Sequence, residues 1–466
     1  MPLGKFILMA ISVCLIGILL ASGTIELATI IGISLVLIGF DVKKPILLKN
    51  LFLIYTFVLF AIAGQYFNPG DTELLWDMNA YLFAFLIGYS LLIRKRRQVP
   101  GPVYSPKTFL KVATIERVMI IYCVIRLFIL AYEIYAYGLG SYYSGASLMA
   151  DFESYGRADF SLGLLTIAKQ FMIIINVALL VFYISVCSLT GSRIRYSIVV
   201  FMTIALPILL LQRSNLALGC LFLLVIAIWD KRPGFSAVVY ARIAVVMIFI
   251  VVVGIGFGLL RDNAFNGASE GVSTESSDIT RVLSGEFTPI VAYQGIKINI
   301  DYLGYQYGNT IFPTMFYKLI PRSWMSDKPT SSSGYFMEKI LPNDAAGGYF
   351  ISSSIYGDMY LNFGILGVIF FCFLLGGFSA RVDSIFIEHN MRRLPMFLIV
   401  YYYYYVLLRG DLQGSLSLVL LTAAVYFILK RLLGYISVIA SKPDGHIIKT
   451  AIDSSCLISP KVTLSD

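Results

Sequence analysis

Three carboxylates stand where a hydrophobic run meets a polar one: Glu286 in SGEFTPIVAYQG, Asp358 in SSSIYGDMYLNFG and Asp411 in VLLRGDLQG. Cations occupy comparable positions, with Arg213 in LLLQRSNLA, Arg409 beside Asp411, and Arg281, Arg322 and Lys328 in the polar stretch between. An arginine fork matches phosphate oxygens and stays charged at any accessible pH. Such cations at a membrane surface fit a lipid-linked pyrophosphate, and a carboxylate among them fits proton abstraction from an attacking hydroxyl. Asp358 falls in the first two turns of an apolar helix and shares a face with Asn362, a candidate for hydrogen bonding a sugar. An acid at that depth is costly unless it faces a polar cavity; the plainer reading is a helix-start acid favoured by the macrodipole. Tyr142, Tyr317 and Trp324 are aromatic candidates for sugar stacking, although most aromatics of that region read as an interfacial belt.

The elements that must position these groups are membrane helices. Mean hydropathy is +0.81, with 58% hydrophobic and 14% charged residues in 466, which excludes a soluble core and predicts a polytopic all-α protein. Apolar runs predict twelve spans, at about 6–20, 25–40, 47–63, 80–93, 118–135, 164–189, 198–211, 216–228, 243–260, 353–378, 395–408 and 416–433. The first 23 residues resemble a signal peptide and read as an uncleaved first span, which keeps the number of spans even. The chain divides into nine spans over 1–260, a large external loop with short amphipathic helices over 261–352, three spans over 353–433 and a tail over 434–466.

Net charge is +9, and its placement assigns the faces. Lys43, Lys44, Arg94, Arg193, Lys231, Arg381, Arg392 and Arg393 fall in alternate short loops, as the positive-inside rule requires. The charge is therefore topology and not a nucleic-acid footprint. His389 and His446 lie on the cytoplasmic side, so an external general base must be a carboxylate. The external loops carry no HExxH, no DxD and no phosphate-cradling glycine loop, so neither metal nor cofactor nor nucleotide is expected. The cysteines show no CxxC spacing and read as small buried residues. Arg126 and Glu133, seven residues apart within the fifth span, form either a functional group or a structural pair.

IPRSWMSDKP followed by SSSIYGDMYLNFGILG resembles the O-antigen and oligosaccharide repeat-unit polymerases, the Wzy family. The LLLQRSNLA and VLLRGDLQG turns and the YGLGSYY segment are similar to stretches of the same family. The resemblance implies a GT-C-like glycosyltransferase of the bacterial inner membrane, working at the periplasmic face on undecaprenyl-pyrophosphate-linked oligosaccharides. It further implies inverting transfer without metal, and a partner that sets chain length. Related O-antigen ligases use a histidine base, and this chain has no periplasmic histidine. A flippase of lipid-linked oligosaccharide is the rival reading, disfavoured by charges gathered outside and by the lack of a repeat.

Overall fold

The computed structural model describes residues 24–41, 47–93, 112–137, 160–186, 193–209, 219, 288–317, 325, 329–346, 351–388 and 393–440. The expected spans at 6–20, 216–228 and 243–260 lie outside them, as do Tyr142, Arg213, Arg281, Glu286, Arg322, Trp324 and Lys328.

Every regular element among the described residues is helical. In chain order these are α1 (Thr24–Gly39), α2 (Leu48–Phe67), α3 (Thr72–Leu92), α4 (Val112–Tyr137), α5 (Phe160–Val186) and α6 (Arg193–Val200), the last continued by a π-helical stretch (Phe201–Ala205) and a final helical turn (Leu206–Leu209). Then come α7 (Thr288–Ile298), α8 (Ile300–Leu303), α9 (Phe312–Tyr317), α10 (Ser332–Ile340) and α11 (Pro342–Ala346). The chain continues through α12 (Ser354–Ile387), α13 (Leu394–Arg409) and α14 (Leu412–Ala440). Leu48–Phe67, Thr72–Leu92, Ser354–Ile387 and Leu412–Leu432 are long and apolar enough to cross a membrane. The chain is thus a helical, membrane-embedded protein.

α3 and α12 form the most extensive helix pair, and glycines let them touch backbone to backbone. A Cβ on Gly88 would lie 2.0 Å from the Phe373 carbonyl oxygen, and one on Gly376 would lie 2.1 Å from that of Phe85. Beside this contact Phe52, Phe60, Tyr81, Phe85 and Tyr356 fill the core. Tyr81 and Tyr356 stack with centroids 5.5 Å apart, and Phe60 meets Tyr356 edge-on at 5.1 Å. The buried phenols find partners, as enclosed tyrosines must: Tyr356 meets Thr56 at 2.5 Å and Tyr81 meets Tyr293 at 2.7 Å. At one end Asp383 accepts from the amides of Leu48 and Lys49 and from the Tyr89 hydroxyl, capping α2 in place of Leu47, which has no capping side chain.

One loop expectation changes. The loop expected over 64–79 shrinks to a turn at 68–71, because Asp71 caps α3 at Leu74 and the apolar Leu74, Leu75 and Met78 are buried at once. Where it is described, the polar stretch 261–352 forms short helices joined by non-helical turns and packed against the bundle. Its α7 lies along α12, burying Ile290, Tyr293 and Ile296, and is clamped to α3. In that clamp Tyr293 donates to Asp77 at 2.7 Å, and Lys297 reaches Asp77 at 2.6 Å and Glu73 at 2.8 Å. The five tyrosines at 401–405 pack mainly between helices, with Tyr404 meeting Ser379 on α12 and Tyr403 accepting from Thr422 on α14.

Burial opposes the ammonium form of Lys297, but its bonds to Asp77 and Glu73 outweigh burial and hold its pKa above the ordinary lysine range. Its stabilisation is therefore complete below an unfolded value of about 10.4 and is lost as pH rises through the higher folded value. Lys297→Met should cost about 3 to 5 kcal/mol by stranding Asp77 as a buried unpaired carboxylate, and adding Asp77→Asn should recover most of that. Thermal unfolding in detergent measures both, and only wild type should lose further stability in strongly alkaline buffer.

Candidate functional site

The N-terminus of α12, the α13–α14 turn and the start of α10 converge on one polar knot. Asp358 is completely buried, and its Oδ2 accepts from the Leu412 amide at 2.6 Å, which fixes the turn into α14. Its Oδ1 accepts from the Ser353 hydroxyl, whose oxygen is also 3.2 Å from Asp411 Oδ1. Ser333 Oγ accepts from the Ser353 amide at 2.8 Å and donates to Asp411 Oδ1. The carboxylate of α12 and that of the α13–α14 turn are thereby joined through two serine hydroxyls. Each acid has a hydroxyl donor and an amide donor, since Gln413 Nε2 lies 3.2 Å from Asp411 Oδ2. A buried polar network of this kind is stable only when its members are satisfied.

Asp358 and Asp411 differ in access. Asp358 is enclosed, whereas Asp411 is partly exposed and forms the open edge of the knot. Beside it Gln413 is only 2% exposed, yet its Oε1 has no hydrogen-bond partner. A buried acceptor without a partner is uncommon and calls for a donor from elsewhere. Arg409, partly buried, ends α13 one turn away, and its carbonyl accepts from Ser352 Oγ at 2.8 Å. Ser354 adds strain: it is buried with φ of +59°, a region that non-glycine residues rarely enter and that clusters at functional sites.

Asn362 is completely buried and sits one turn below Asp358, as its spacing predicted, but its amide holds the chain itself. Its Oδ1 accepts from the Gly308 amide at 2.8 Å, while Nδ2 donates to Thr310 Oγ1 at 2.8 Å and to the Asp358 carbonyl at 2.7 Å. Thr310 in turn meets Ser332 at 2.9 Å. Tyr317 ends α9 on an exposed aromatic face outside the knot. Of the groups singled out in the sequence, the fold therefore unites Asp358, Asp411, Arg409 and Asn362.

Sequence reasoning missed Ser333, Ser353 and Gln413. The signal was available in the two serine triplets at 331–333 and 352–354, each straddling a helix start, where serine caps backbone amides; Ser331 does cap α10, at Gly334. The Asp77–Lys297 clamp had no local signal, because its partners are 220 positions apart. Comparison of the chain with protein-family models, curated proteins and solved structures gives no match.

Asn362→Leu removes the bonds that pin 308–310 and leaves the buried Gly308 amide unsatisfied, at a cost of about 1 to 3 kcal/mol. Limited chymotrypsin digestion should then cut faster at Tyr305 and Tyr307, and cutting at the wild-type rate would show that the loop is held by other contacts.

Proposed function

We propose that this chain is a polysaccharide polymerase of the Wzy kind, a GT-C-like glycosyltransferase of about twelve spans in the bacterial inner membrane. Its substrates are undecaprenyl-pyrophosphate-linked oligosaccharide repeat units, joined at the periplasmic face. The observation that carries this reading is the open edge of the knot. A half-exposed carboxylate, Asp411, lies beside the unpartnered acceptor of Gln413 and close in sequence to the cation Arg409. A carboxylate at an open edge suits a hydroxyl-rich ligand, and the cation suits the phosphates of its carrier.

In this mechanism a hydroxyl at the nonreducing end of the acceptor unit attacks the anomeric carbon of the donor chain. The new C–O bond forms as the C–O bond to pyrophosphate breaks, its electron pair leaving with the lipid pyrophosphate. The hydroxyl proton passes to Asp411, and the anomeric configuration inverts through an oxocarbenium-like transition state. Asp358 holds Leu412 and, through Ser353, the edge of Asp411, so it orients the base instead of taking the proton. Arg409, with Arg213 and one or more of Arg281, Arg322 and Lys328, neutralises the departing pyrophosphate. Glu286 is a further carboxylate for the same face. A partner that sets chain length belongs to the same proposal.

A second reading, transport of the same lipid-linked oligosaccharide, is favoured by Arg126. This residue sits midway along α4, is 2% exposed, and has no hydrogen-bond partner at Nε. A charge at that depth and a broken helix, such as α12 with its positive φ at Gly364, also occur in transporters. Against it, the break in α12 is covered by the chain's own loop, so its carbonyls are not offered to an ion.

Replacing the chromosomal gene with variants and reading the surface polysaccharide on gels tests the proposal. Asp411→Asn and Arg409→Ala should each cut chain growth by about 10² to 10³, leaving mostly single repeat units. Asp358→Asn, whose amide oxygen still accepts from Leu412, should retain more. Long chains from Asp411→Asn at wild-type membrane levels would remove Asp411 from the chemistry.

A further inference from the structure

The segment from α8 to α9 carries large apolar side chains that stand exposed among the described residues. Tyr302 is 70% exposed, Tyr307 75%, Phe312 60% and Phe316 72%. In a water-facing loop such a cluster would be unusual, because contiguous exposed apolar patches of this kind mark an interaction surface. The loop is also rigidly held beneath its aromatics. Gln306 and Tyr307 donate their amides to the Leu361 and Asn362 carbonyls of α12, and Met315 accepts from Ser417 of α14 through its carbonyl at 2.7 Å.

These anchor points fix the height of the patch. α12 has 34 residues, but φ of +69° at Gly364 breaks it. The part between the break and the exposed Arg381, 365–380, is roughly 24 Å long at 1.5 Å per residue, a little short of the apolar thickness of a bilayer. With Arg381 at one surface, the break lies at or just inside the opposite hydrocarbon boundary, and Tyr305 packs against Gly364 at that level. On either side the patch runs into lipid-facing surface. Leu366 of α12 is 76% exposed, and Leu420 of α14, one turn beyond Ser417, is 59% exposed.

We infer that the 302–317 segment is a membrane anchor, whose aromatic side chains sit in the headgroup and upper acyl region of the leaflet that covers the Gly364 end of the bundle. Tyrosine and phenylalanine suit that zone because rings bury in the acyl boundary while phenol oxygens stay wet. Exposed Asp301 and Asn309 mark the polar edge that faces headgroups and water. The anchor sets the open edge of Asp411 at headgroup height. It holds whatever reaction that edge performs, since its argument uses only helix length, exposure and bonding.

Phe316→Trp and Tyr302→Trp keep an aromatic ring at exposed positions, so neither threatens the fold. Each full-length variant is reconstituted into phosphatidylcholine and phosphatidylglycerol vesicles, with the acyl chains either plain or brominated near the headgroup. Emission added by the new tryptophan should lose about half its intensity with the brominated lipid and be little affected by aqueous iodide, as expected of an interfacial ring. Quenching by iodide but not by bromine would place the patch in water and overturn the inference. Protection from both quenchers would mean that protein covers the patch, and would overturn it equally.

Discussion

The fold depends on one interruption, at Gly364 of α12. In the apolar part of a membrane every backbone polar group needs an internal partner, so a helix can open only where something else takes its carbonyls. Here the amides of Gln306 and Tyr307 bond the Leu361 and Asn362 carbonyls, which the broken turn frees. The loop and the break are one device: without the loop the break would leave bare acceptors, and without the break the loop would have no seat. Asn362 reinforces both, fastening Gly308 and Thr310 while still bonding the Asp358 carbonyl of its own helix.

From that device follows the position of the polar knot. The ten residues ahead of Gly364 form a short helix above the membrane-spanning part, and Asp358 sits inside it. There it is buried by α10, α14 and the serine turns, not by hydrocarbon, so both of its oxygens have donors. Asp411 lies one hydroxyl further out and keeps an open edge. The opposite end of α12 is fixed by Asp383 on α2 and Tyr89, and the middle by glycine contacts with α3. A long helix held at both ends and along its length can carry a rigid site at its tip.

The helical membrane class was legible from composition and hydropathy, because burial in lipid leaves a signal in every window of sequence. The placement of Asp358 against Asn362 was legible too, since helical periodicity is local. Helix lengths were less so. Hydropathy starts a span at Ala80, whereas α3 begins at Thr72, because Trp76, Asp77 and Asn79 lower the average while Asp71 caps the helix eight residues earlier. The pairing of Asp358 with Asp411 through Ser333 and Ser353 could not be read, because it joins three distant segments. By residue type alone, Gly364 cannot be told from the packing glycines Gly376 and Gly377 of the same helix. Only its positive φ separates a break from a close contact, and no residue type encodes that by itself.

The most direct test of the account is chain growth by the purified, reconstituted protein. Wild type is supplied with extracted undecaprenyl-pyrophosphate repeat units and EDTA, and the products are resolved by length. The account predicts a ladder of lengthening chains, each new linkage inverted at the anomeric carbon, with lipid pyrophosphate released in step. Unlengthened substrate recovered on the far side of the vesicle membrane would contradict it and identify a transporter.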